Sequence, residues 1–127
     1  MYHPYFRGKQ FELLAIKELA ELIAQSAFVP IIEPVRLNTG GLLRTVQALS
    51  GAEGRCVIVI NPKHGEFQRE HAALQAFFRE NFEEGGLVSA GILLNERVSA
   101  EEAIRLNENF GPYSPMLIHD GFLEEEV

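Results

Sequence analysis

Four short apolar runs in this chain each break off into a small polar cluster: Ile31-Ile32 into Glu33-Pro34, Val59-Ile60 into Asn61-Pro62-Lys63, Leu93-Leu94 into Asn95-Glu96, and Leu117-Ile118 into His119-Asp120. The runs recur at steps of roughly 30 residues, the length that one strand plus one helix occupies. The segments between them have helical period. From residue 8 to 25, Phe11, Leu14, Ile16, Leu19, Leu22 and Ile23 recur at three- and four-residue steps opposite Lys17, Glu18 and Glu21, which predicts an amphipathic helix that buries this apolar set. A second helix is expected over residues 41–49, capped by Asn38 or Thr39 and burying Leu42, Leu43, Val46 and Leu49. A third, over about 66–81, would bury Ala72, Leu74, Phe77 and Phe78 and stop at Gly85-Gly86. A fourth, over 100–109, has Ser99 as its cap and Glu102 three residues later. Strands are expected from Phe28 to about Pro34 and over 57–60, 87–94 and 115–119.

The expected fold is therefore α/β, with four alternating αβ units and a parallel sheet in a single domain spanning residues 1–127. This order builds half of a (β/α)8 barrel or, as the alternative, a small open doubly wound sheet. No Gly-x-Gly-x-x-Gly follows a strand and no Gly-x-x-x-x-Gly-Lys-Ser/Thr occurs, so dinucleotide and P-loop readings lose their main support. After the fourth apolar run, Glu124-Glu125-Glu126 reads as the start of a fifth helix, whose positive dipole end favours carboxylates. The expectation is either half of a longer barrel or two copies that complete one another as a homodimer, because an isolated half barrel exposes bare sheet edges.

Charge and cysteine content narrow the function classes. The formal net charge of −7 argues against bulk binding of nucleic acid. Residues 1–60 carry a net charge of +1 and the remainder −8, which leaves room for a local basic site near the N-terminus. Cys56 is the only cysteine, so an internal disulfide and a thiolate metal cluster are both excluded; within Cys56-Val57-Ile58-Val59 it reads as a buried strand thiol rather than a nucleophile. Lys17, Glu18 and Glu21 interrupt the longest apolar stretch, so no membrane span is expected. Residues 1–7 lack the layout of a signal peptide, and the cytoplasm is the expected compartment.

The segment from Tyr2 to Ala15, Tyr-His-Pro-Tyr-Phe-Arg-Gly-Lys-Gln-Phe-Glu-Leu-Leu-Ala, followed by Val29-Pro30-Ile31-Ile32-Glu33-Pro34-Val35, resembles the T4-type beta-protein family of phages and bacteria. It is most similar to the bacterial branch that opens with Tyr-Pro-Tyr-x-Arg-Gly-Lys-Gln-like segments. The similarity is strongest over residues 2–36 and looser to about residue 120. It implies a (β/α) barrel of which this chain covers the first half, a place in a phage or bacterial conflict locus, and no particular reaction.

In parallel α/β folds, ligands bind beyond the carboxyl ends of the strands, where the polar clusters fall. Glu33, directly after two isoleucines, is a candidate general acid or base or metal ligand, or else a loop-fixing partner of Arg36 or Arg7. Asn61 could orient a ligand or make an Asx-turn with its own loop; Lys63 could bind phosphate or carboxylate beside His64, or be a solvated loop residue. Asn95 and Asp120 complete the candidate catalytic set of Glu33, Asn61, Lys63, Asn95 and Asp120. Glu33, Glu96, Asp120 and His119 could form an oxygen-rich Mg²⁺ or Mn²⁺ site, although strand-end carboxylates also cap helices and Asp120-Gly121 is an ordinary turn. Arg7 and Lys9, flanking Gly8 before the first helix, form a candidate anion-binding pair, or neutralise Glu12 or Glu33 and pin the N-terminal segment to the sheet. Tyr2, Tyr5 and Phe6 would close one mouth of the sheet as an apolar plug, and Thr39-Gly40-Gly41 is a candidate phosphate cradle. Two functions follow from different classes. One is an interaction or accessory protein that works through a surface, with a homodimer or another protein as partner; the alternative is a phosphate-handling or divalent-metal-assisted hydrolase.

Overall fold

Tyr5–Arg7 forms a strand, β1, ahead of the first helix, so the parallel sheet has one strand more than the four apolar runs predict. The computed structural model describes residues 2–35, 39–62, 71–95, 98–119 and 122–123. After β1 come α1 (Gln10–Glu18), α2 (Ala20–Gln25), β2 (Ile31–Glu33), α3 (Gly40–Gly51), β3 (Cys56–Val59), α4 (His71–Asn81), β4 (Val88–Leu94), α5 (Ala100–Asn109), β5 (Met116–His119) and β6 (Phe122–Leu123). Strands β1 to β5 lie side by side in chain order, all parallel, and β6 turns back antiparallel against β5. The four alternating αβ units are present, preceded by β1.

Side-chain alternation along the strands gives the sheet two distinct faces. Ile32, Cys56, Ile58, Ile60, Val88, Ala90 and Ile92 pack with Leu13 and Ile16 of α1, Val46 and Leu49 of α3, Phe77 and Phe78 of α4, and Leu106 of α5 in the main core. Val29, Ile31, Val57, Val59, Leu93 and Ile118 form a second cluster on the opposite, inner face, with Tyr5 and Met116 against it. Among the described residues no helix residue joins that second cluster. Sequential strand order with the helices on one face is the arrangement of a barrel sector; a doubly wound sheet has helices on both faces and a reversal of strand order, and neither occurs among the described residues.

The local signals explain the boundaries. Ser99 caps α5, its hydroxyl accepting from the Glu102 N–H at 3.1 Å, and Gly85 beyond α4 adopts the left-handed conformation (φ 70°) that glycine takes without strain. Thr39 stands at the N-cap of α3 with no side-chain bond; Asn38 lies outside the described residues. The first predicted helix is divided at Leu19 into α1 and α2, and here the expected burial fails. The helix pair buries Leu13, Ile16 and Ala20, whereas Phe11, Leu14, Leu19 and Leu22 are exposed. The sequence holds two apolar stripes on these helices, and the expected stripe mixed residues from both. Ala72 of α4 is exposed as well, and Leu74, Phe77 and Phe78 carry the packing of that helix. Tyr5 and Phe6 do not form one plug: they face opposite sides of the sheet, Tyr5 toward the inner cluster and Phe6 toward the main core, while Tyr2 packs edge-to-face on Phe28.

Candidate functional site

Strand alternation carries Arg7, two residues beyond Tyr5, and Glu33, two beyond Ile31, onto the inner face in register with one another. Asn61 and Asn95 follow the same alternation just past the ends of β3 and β4. Four of the predicted site residues therefore stand at the carboxyl ends of four successive parallel strands. Lys63 and Asp120 lie outside the described residues, as do Arg36, His64, Glu96 and the carboxylates from Glu124 to Glu126.

Glu33 is almost wholly enclosed, 2% exposed, at the point where burial of a carboxylate demands donors. The Tyr5 hydroxyl supplies one, donating to Glu33 Oε1 at 2.7 Å. Burial, then the Glu33 bond and charge, push the Tyr5 hydroxyl well above the ordinary tyrosine range, against the opposing pull of Arg7. Tyr5 is thus a fixed hydrogen-bond donor at neutral pH and Glu33 its acceptor. The Gly8 N–H donates to the Glu33 backbone carbonyl at 2.6 Å, and a Cβ at Gly8 would come within 3.2 Å of that same oxygen, so the small residue lets β1 and β2 close at their tips.

Asn61 has a structural task that the Asx-turn reading does not contain. Its Oδ1 accepts from the Leu93 N–H at 2.8 Å and its Nδ2 donates to the Leu93 carbonyl at 3.0 Å, both bonds buried. The side-chain amide imitates a peptide group and extends the β3–β4 ladder past the end of β3, where Pro62 can donate nothing. Asn61→Ala would strand both Leu93 groups away from water at about 1–3 kcal/mol for each unsatisfied group. Urea denaturation should show a loss of this size with an unchanged slope; a variant as stable as the parent would refute the ladder role.

Arg7 and Lys9 are both exposed. The pair does not converge on an open helix terminus. Glu12, in the first turn of α1, accepts from the Arg7 backbone N–H at 3.4 Å, so a carboxylate of the chain already sits where an external anion would be drawn. His119 and Leu117 alternate away from the inner-face Ile118, so His119 does not share a face with Glu33. Among the described residues no group of three His, Cys, Asp or Glu side chains could hold a metal ion. Cys56 is buried among main-core residues, and burial pushes its thiol up to about 12, which leaves no appreciable thiolate for nucleophilic attack at neutral pH.

Two features go beyond the expected sites. One is the outward stripe of Phe11, Leu14, Leu19 and Leu22, which Tyr2 and Phe28 join as exposed apolar residues of the same N-terminal segment. The other is a cleft of about 550 Å³ between α1 and α3. The stripe was readable as surplus hydrophobicity on a helix pair with only one core to face; the cleft depends on the packing of two helices, and Gly40 and Gly41, expected as part of a phosphate cradle with Thr39, line it. The chain matches no protein-family model, no curated protein and no solved structure.

Proposed function

We propose that this chain is an accessory protein that acts by association, with a second copy of itself as the first partner, through the outer flank formed by α1 and α2. The observation that carries this reading is the exposure of Phe11 (81%), Leu22 (58%) and Leu14 (46%) on one helix pair. Single exposed apolar residues are ordinary, but a concentration of this kind is the mark of an interaction surface. Charge favours a second copy. In this segment Arg7, Lys9 and Lys17 balance Glu12, Glu18 and Glu21, so two such flanks meet without net repulsion in a protein whose overall charge of −7 sets its other faces against each other.

Association proceeds by helix packing rather than strand addition. The outer edge of β1 is only three residues long, and at Arg7 it is already closed, the N–H by Glu12 and the carbonyl by the Lys9 N–H at 2.8 Å. The similarity of residues 2–36 to T4-type beta proteins supports a phage or bacterial conflict locus as the setting. Among the described residues no helix is long and apolar enough to cross a membrane, and the proposed compartment is the cytoplasm. The hydrolase reading has less behind it, since the Asn61 amide is engaged with Leu93 instead of facing a ligand.

Sedimentation at micromolar concentration tests the reading. The parent chain is expected to exceed its 14.2 kDa monomer mass, and Phe11→Glu with Leu22→Glu to return it to a monomer that keeps the parent's circular dichroism spectrum. A parent that stays monomeric, or a variant that still associates, would overturn it.

A further inference from the structure

The cleft between α1 and α3 brings positive charge from two helices to one open pocket. Gly8 and Pro34, just past β1 and β2, border it; Leu13 and Leu42 contribute apolar wall; Lys17 of α1 and Arg44 of α3 also line it. Among the described residues no aspartate or glutamate lines it. In a protein of net charge −7, two cations brought by different helices to the walls of one cleft favour an anion there.

The cleft is also built in advance of any ligand. The Thr45 hydroxyl, buried between the helices, lies 3.2 Å from the Leu13 carbonyl and 2.9 Å from that of Gly41, tying α1 to α3 beneath the two cations. A Cβ on Gly41 would stand 3.6 Å from Leu13 Cδ1, so the glycine keeps the first turn of α3 from filling the space. A volume of about 550 Å³ falls within the roughly 300–1,000 Å³ of small-molecule sites.

We propose that this cleft binds the phosphate group of a small anion, with Lys17 and Arg44 meeting it from two helices. A phosphate presents three terminal oxygens and close to two negative charges, which suits a lysine point charge and an arginine fork arriving from different walls; a carboxylate offers two coplanar oxygens and one charge. Leu13 and Leu42 provide contact for the carbon body of a phosphate monoester. This site is separate from the Glu33 cluster and does not rest on self-association.

The test is calorimetric titration of the whole chain with inorganic phosphate, glycerol 3-phosphate and acetate at matched ionic strength, with thermal midpoints in parallel. Saturable binding of the phosphates and none of acetate is expected; tighter binding of the glycerol ester identifies an organic phosphate, and equal or tighter binding of inorganic phosphate identifies the free ion. Lys17→Gln and Arg44→Gln, both at exposed positions, should each weaken binding about tenfold or more while leaving the unliganded midpoint in place. Arg105→Gln, on exposed α5, should leave binding unchanged. No saturable phosphate binding, equal binding of acetate, or binding that survives the Lys17→Gln, Arg44→Gln double variant would overturn the proposal.

Discussion

Replacing Gly91 with alanine is expected to destabilise the protein by about 1–3 kcal/mol, the range for inserting a methyl group into a packed core. Gly91 lies inside β4 with β3 and β5 hydrogen-bonded on either side, and on the inner face Val57 and Ile118 from those two strands reach over it. A Cβ built there stands 2.8 Å from Val57 Cγ1 and 2.8 Å from Ile118 Cδ1, closer than real carbon contacts allow. Ile118 can withdraw its terminal methyl by rotating χ2. Val57 cannot, because its methyl is carried on Cβ and any χ1 change swings a second branch into the neighbouring strand.

Alanine at this position adopts the backbone without strain, since Gly91 is not among the residues with positive φ. The usual gain of about 0.4–1 kcal/mol from stiffening the unfolded chain therefore still operates. A net loss must come from the clash alone. Urea midpoints for the parent, Gly91→Ala and Gly91→Val should fall in that order, and Gly91→Ala combined with Val57→Ala should recover part of the alanine loss through their coupling. A Gly91→Ala variant more stable than the parent would show that Val57 and Ile118 do not close over the strand.

The βα rhythm was legible because apolar runs and helical stripes obey periods that local sequence must respect. Ser99 and Glu102 around α5 and Gly85 beyond α4 were equally legible, since caps and left-handed turns are chosen by the chemistry of one or two side chains. What escaped was set by partners distant in sequence. Tyr5–Arg7 is too short for alternation to register, and it becomes a strand only when β2 lies beside it. Phe11 and Leu14 satisfy the helical period as well as Leu13 and Ile16 do; which stripe is buried depends on where α3 packs. Glu33 was found from its place after two isoleucines, but its hydroxyl donor sits 28 residues earlier. Asn61 stood out for the same reason, with a ligand or its own loop as the two expected partners, because nothing nearby in sequence announces the Leu93 backbone.

Phe78→Ala is expected to cost about 3–5 kcal/mol, the range for emptying a buried aromatic site. Small domains have only about 5–15 kcal/mol in total, so the variant would stand near the limit of folding. Phe78 is fully enclosed and makes edge-to-face contacts with Phe82 at 5.2 Å, Phe110 at 5.4 Å and Tyr113 at 5.1 Å between ring centroids. These rings belong to α4, to the residue after it, and to the turn that follows α5. Phe78 is accordingly the point where two successive αβ units are joined, and a second-unit loosening should accompany the loss of its volume. Phe78→Leu, which refills much of the space without the ring pairing, should recover most but not all of the loss, the remainder reflecting the roughly 0.5–1.5 kcal/mol that an aromatic pair adds beyond burial. Phe11→Ala supplies the contrast: the same residue type, 81% exposed, should change the stability of the isolated monomer by no more than about 0.5 kcal/mol. Thermal and urea denaturation under monomeric conditions measure all three. A Phe78→Ala loss as small as that of Phe11→Ala would mean the aromatic cluster is not the seam between these units.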